Sequence, residues 1–163
     1  MEVHAEAASR LWATVGVGVE HNWRRLTAGH SGARTITARY GGDADFLASS
    51  SAPVVISVAK TGSRTTLATS ATSAEYGAPV PLTATVATSD GSSAVGTVSF
   101  LDGTTGVGSC PLVAGSCTAT LRSLAAGTRI LTAFYAGDST RATSLSGSVT
   151  VEVAKGTTTT SLT

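Results

Sequence analysis

Glutamine is absent from this 163-residue chain, asparagine occurs once at Asn22, and aromatic residues make up only 5% of it. Charged residues are also scarce, at 13%, and balance to a formal net charge of +1. That balance excludes a basic nucleic-acid footprint, and equally an acidic tail or a polybasic membrane anchor. The only histidines are His4, His21 and His30, so 61–155 has none. This removes a Ser-His-Asp triad, a His general base and a His-ligated metal from that segment. Neither a GxxxxGK(S/T) phosphate loop nor a GxSxG elbow occurs. No catalytic residue, cofactor or metal site is therefore expected. Near the start, the uncharged stretch 11–19 is too short to cross a bilayer, so no membrane insertion is expected. Residues 1–10 carry two Glu where a signal peptide needs a basic region, and no small-residue cleavage site follows.

Hydroxyl residues are abundant instead, with 27 Thr and 21 Ser. Apolar residues reach 42%, supplied mostly by Val, Ala and Leu. Thr and Val favour strands over helices. The chain also repeats itself at a constant spacing of 95 positions. Tyr40 aligns with Tyr135, Gly42-Asp43 with Gly137-Asp138, and Val58-Ala59-Lys60 with Val153-Ala154-Lys155. Upstream of about residue 26 the similarity ends. The spacing predicts the last part of one repeat over 26–60, a complete repeat over 61–155 and the start of a third over 156–163. Residues 1–25 are expected to be a non-native or disordered leader, and the whole a fragment of a longer tandem array.

Within the complete repeat, Leu82, Ala84 and Val86 alternate with threonines. Val98 and Phe100 alternate with Thr97 and Ser99, and Cys117, Ala119 and Leu121 with Thr118 and Thr120. Period two means one face buried and one wet. The run 129–136 is ambiguous alone, because Ile130, Leu131, Phe134 and Tyr135 are all apolar. The earlier copy resolves it: Ile36, Ala38 and Tyr40 stay apolar while Arg39 stands in the place of Phe134. Leu131, Ala133 and Tyr135 are therefore expected inside and Phe134 outside. Val149, Val151 and Val153 complete the expected core. Gly, Pro and Asp clusters such as Tyr76-Gly77-Ala78-Pro79 and Ser89-Asp90-Gly91 separate the runs. About seven strands with turns every 8–12 residues predict an all-β, immunoglobulin-like β-sandwich preceded by a partial repeat.

Four segments are recognisable together: Thr65-Thr66-Leu67; Tyr76-Gly77-Ala78-Pro79 running on to Val86; Gly96-Thr97-Val98-Ser99-Phe100-Leu101-Asp102-Gly103; and Leu124-Ala125-Ala126-Gly127 through Tyr135-Ala136-Gly137-Asp138. With the closing Val149-Thr150-Val151-Glu152-Val153, they resemble the bacterial Ig-like repeat domains found in tandem on large secreted and cell-surface proteins. The resemblance covers 26–163. It implies a seven-stranded sandwich serving as spacer, stalk or adhesive module, located extracellularly or at the cell surface, and it carries over no catalytic residue. The chain departs from antibody-type domains in that Trp12 and Trp23 both precede the repeats, leaving no core Trp.

Four features invite chemistry. A hairpin turning at Val113-Ala114 would set Cys110 opposite Cys117 on adjacent strands, which suits a disulfide in an oxidising compartment; the other reading is two small buried thiols. Asp43, Asp45 and Asp138 lie in equivalent turns. They read as Asx-type turns or as calcium ligands between repeats, and Thr140 in place of Asp45 favours the turn. Lys60 and Lys155 end equivalent strands. A Lys–Asn crosslink is excluded because Asn22 lies outside the repeat; a Lys–Asp version has no supporting feature, and the favoured reading is solvated lysines at junctions. Glycan binding would need exposed aromatics, and Phe134 is the one expected to face outward. Charges within 61–155 cancel, so no charged ligand is steered.

The leading expectation is a non-catalytic structural module whose partners are neighbouring Ig-like repeats of the same chain, displaying distal domains. The alternatives are an adhesive module binding a host protein or glycan, and an accessory module of a secreted polysaccharide-degrading enzyme.

Overall fold

The computed structural model describes residues 31–162 and, ahead of them, the backbone of three strands. Residues 1, 2, 7–9, 16–21, 27–30 and 163 lie outside the described residues, as do the side chains before residue 31. The three histidine side chains fall there, as do all side chains and part of the backbone of the leader expected over 1–25. The chain divides into two units, Met1–Lys60 and Thr61–Thr163.

In the first unit, β1 (Val3–Glu6), β2 (Arg10–Val15) and β3 (Asn22–Leu26) form an antiparallel meander. Next come β4 (Gly32–Ile36), β5 (Arg39–Tyr40), β6 (Ser49–Ser50) and β7 (Val54–Val58). They make one interrupted hairpin in which β4 pairs with β7 and β5 with β6. Its apolar face is Ile36, Ala38, Tyr40, Ile56 and Val58, each only half-buried, and Val54 is exposed.

The second unit is a sandwich of two sheets. Its strands are β8 (Ser63–Thr69), β9 (Ser73–Glu75), β10 (Val80–Thr88), β11 (Thr97–Asp102), β12 (Thr105–Pro111), β13 (Ser116–Leu121), β14 (Gly127–Tyr135), β15 (Ser144–Leu145) and β16 (Val149–Ala154). One sheet has the order β13-β10-β8; the other runs β12-β11-β14-β16-β9, with β15 also on β14. Seven strands have six or more residues, and β9 and β15 are short additions. All pairs are antiparallel except β9 with β16, which is parallel. Among the described residues no helix is long and apolar enough to cross a membrane.

The alternation along β10 is the pleat made visible: Val80, Leu82, Ala84 and Val86 are buried, and Pro81, Thr83, Thr85 and Ala87 are exposed. From the opposite sheet Val98, Phe100, Leu131, Ala133, Tyr135, Val151 and Val153 close the core. Each large side chain so buried stabilises by about 1.5–3 kcal/mol relative to exposure. Leu121 on β13 joins them, and Phe134 faces out. Two residues expected in the core are corrected to its margin. Ala119 lies on the edge strand β13 and Val149 opens β16 at the end of its pairing, and both are half-buried. Val80, Ala94, Leu112 and Leu124 complete the core, although the period-two runs did not point to them.

The closing hairpin of this unit, 127–154, repeats that of the first unit in hydrogen-bond detail. Gly127 pairs with Val153 and Tyr135 with Ser144, as Gly32 pairs with Val58 and Tyr40 with Ser49. The ladder is interrupted at a serine in both. Ser146 N donates to Ala133 O while its hydroxyl accepts from Ala133 N; Ser51 does the same with Ala38. The difference is burial: the second hairpin lies under an opposing sheet, and the first has no fully buried residue.

Candidate functional site

Where β14 ends, Asp138 organises the corner. Its Oδ1 accepts from Thr140 N at 2.7 Å, the Thr140 hydroxyl at 2.9 Å and Arg141 N at 2.7 Å. Its Oδ2 accepts from Arg141 Nη1 at 2.9 Å. Gly137, at φ +71°, makes the tight bend; a Cβ there would lie 2.6 Å from Arg141 O. Burial alone would raise the Asp138 pKa, but the donors outweigh it and hold the carboxyl well below the usual range. Arg141 Nη2 continues to Ser92 Oγ and Ser93 O, and the Tyr135 hydroxyl donates to Val95 O at 2.9 Å. Desolvation, and then the nearby Asp138 charge, push the Tyr135 phenol up.

The earlier copy shows the same device. Asp43 Oδ1 accepts from Asp45 N and Phe46 N, each at 2.9 Å, and Asp43 Oδ2 accepts from the Tyr40 hydroxyl. That phenol, followed by the two amides, lowers the Asp43 pKa. The carboxylate oxygens of Asp43 and Asp138 are already engaged by protein donors. Among the described residues, no group of three or more His, Cys, Asp or Glu is placed to hold a metal ion. The chemistry of this corner is structural: a carboxylate fixes a loop and an arginine ties that loop to its neighbour.

Cys110 and Cys117 form a disulfide with Cα atoms 5.9 Å apart. The expected hairpin geometry is corrected. Val113 bridges Ser116, so the turn falls at Ala114-Gly115, with φ of +50° and +81°. Cys110 pairs with Val98 in one sheet and Cys117 with Ala84 in the other. The bond therefore crosses between sheets. Direct opposition fails because β12 and β13 join different sheets and share only the isolated bridge at Val113 and Ser116.

An open groove of about 410 Å³ runs along the parallel pair β9 and β16, lined by Ser73, Ala74, Glu75, Glu152, Val153 and Ala154. It holds two carboxylates and no nucleophile–base pair. Phe134 is not alone in facing outward: Tyr76 at 61% and Phe46 at 68% are more exposed, because one sits in a turn and the other in a loop. Lys60 and Lys155 are both exposed, Lys60 at the end of the first unit and Lys155 directly after β16.

Comparison with known proteins identifies a family. The family model described as bacterial Ig-like domain (group 3) matches residues 67–154, more than half of the chain. No curated protein matches. Solved structures similar to the chain include the fibronectin(III)-like modules of Clostridium thermocellum CbhA. The identity is 25%, covering 56% of this chain and 94% of that one, with a TM-score of 0.44.

Proposed function

The chain belongs to the group 3 bacterial Ig-like domains, and from that premise we propose that it is a non-catalytic spacer from an exported protein, holding distal domains away from a cell surface. The observation that carries this reading is the recurrence of one hairpin, with the same register, the same serine interruption and the same aspartate-capped corner. A recurring closing hairpin fits modules strung in series, 26–60 ending one and 156–163 beginning another. Its partners are then the neighbouring repeats, and its location is extracellular. The test is an array of glycans and matrix proteins probed with the full chain. Background-level signal throughout is expected, and reproducible specific binding would sink the spacer reading.

One observation favours a second reading, adhesion to a host protein or glycan. Ile130, Phe134 and Leu145 are exposed on the outer face of the larger sheet, and the earlier copy has Thr35, Arg39 and Ser50 there. The fold does not require those apolar residues. Loss of array binding in a Phe134→Ala, Ile130→Thr double variant would assign adhesion to that face.

A further inference from the structure

Thr61 begins the second unit and is fixed by its backbone. Its N–H donates to Thr140 O at 2.8 Å, and its carbonyl accepts from Ala142 N at 2.8 Å, in a parallel bridge opposite Arg141. Gly62 O then accepts from Ser89 N at 2.9 Å. Ser63 Oγ lies 2.7 Å from Ala142 O and 2.8 Å from Ser144 Oγ. The loop that receives Thr61 is the one Asp138 shapes, and Arg141 ties that loop to Ser92 and Ser93. We propose that residues 61–63 and the Asp138 loop form a latch that bears tension along the module, with Asp138 as the positioning residue that keeps it closed. This rests on the spacer reading, in which tension runs through the chain.

The topology sets the direction of load. From Thr61 the chain runs along β8 and β9, and β16 runs parallel to β9, with Ala154 reached beside Glu75. A pull on Thr61 and on Ala154 therefore acts along the strands in opposite senses. The bonds at Thr61 lie across the pull and are loaded together in shear. Bonds loaded together must break together, whereas a peeled pair opens one bond at a time. The latch is nearest the incoming chain, so it meets the load before the core does. Removing its donor should weaken the module along this axis far more than it speeds unloaded unfolding.

The experiment stretches the full chain, tethered by its two ends, at one loading rate. Thr61→Pro removes the N–H given to Thr140 O, and Asp138→Ala removes the loop cap. Each should lower the rupture force of the 61–154 unit by about a third, and the double variant should fall no further, because both open one latch. Thr61→Pro should change the unfolding rate in denaturant less than about twofold, since no axis is loaded there. An unchanged rupture force in Thr61→Pro, or additive losses in the double variant, would overturn the latch. Thr61 lies ahead of the first strand, so this variant remains decisive if Asp138→Ala does not fold. Ligand binding on the array would remove the spacer reading without changing the force result, so the two failures are separable.

Discussion

Cys110 on β12 and Cys117 on β13 are joined across the space between the two sheets, each from the edge strand of its own sheet. Both are buried, at 5% and 8% exposure. The bond closes one side of the sandwich, where no backbone ladder can run from sheet to sheet. It also encloses the left-handed turn at Ala114 and Gly115. A sheet-to-sheet link restricts the unfolded chain and holds the two layers in contact at the same point.

Removing this bond should therefore destabilise without unfolding. The closed loop spans a separation of seven residues, and chain-entropy reasoning for so short a loop gives about 2–3 kcal/mol. A Cys110→Ala, Cys117→Ala variant should lose that amount in urea, and the wild type should match it under reductant. Native protein carrying two alkylatable thiols by intact mass would contradict the bond.

Tyr135 and Phe134 are neighbours on β14 with opposite fates. Tyr135 is fully buried, and its hydroxyl donates to Val95 O; Phe134 faces solvent. Tyr135→Ala should cost about 3–5 kcal/mol, a large share of a typical domain stability. Tyr135→Phe keeps the ring and leaves Val95 O without its donor, so about 1 kcal/mol is expected. Phe134→Ala should stay within about 0.5 kcal/mol. Thermal melts of the three variants give the order directly, and equal shifts for Phe134→Ala and Tyr135→Ala would contradict the face assignment.

How far these features could be read in advance varies with their physical origin. The core face of β14 was legible because two copies of one strand were available: Arg39 cannot share the burial of Phe134's opposite face, so the pair had to point outward. Asp138 was legible as a turn residue for the same reason, through Asp43. The span of the disulfide was not. It depends on β12 pairing with β11 and β13 with β10, a long-range partition between sheets that the local turn residues do not announce. The bonds at Thr61 were hidden in a different way. They join backbone groups far apart in sequence, and any residue but proline offers the same donor and acceptor.

Acid should act on the Asp138 corner. Its folded pKa is depressed, so its contribution is complete above the unfolded carboxylate range, near pH 4, and is lost as pH falls toward the lower folded value. Asp138→Asn should lose about 1–2 kcal/mol at neutral pH, since the arginine pairing weakens and the cap is poorer. Between about pH 5 and pH 2 the wild type should lose stability more steeply than the variant, and the two curves should converge. A smaller acid slope should persist in the variant, because Ser92 and then Thr88 lower the Asp90 carboxyl as well. Parallel denaturation curves across that range would show that Asp138 is not linked to folding.

The two copies of the closing hairpin form a natural experiment in what a sandwich contributes. They share register, serine interruption and corner, yet Leu131, Ala133 and Tyr135 are buried while Ile36, Ala38 and Tyr40 are half-buried. A hairpin without an opposing sheet is marginal in water, and its open edges invite other chains. Amides of 32–58 should therefore exchange orders of magnitude faster than those of β10 and β14, where opening requires the whole core to part. A shortened chain of 61–155 should be monomeric and at least as stable in urea as the full chain, because the omitted hairpin adds exposed apolar surface such as Val54, Val55 and Leu47 without a buried core. Equal protection of both hairpins in the monomer would mean that the first has found a covering surface, and the boundary at residue 61 would then have to move.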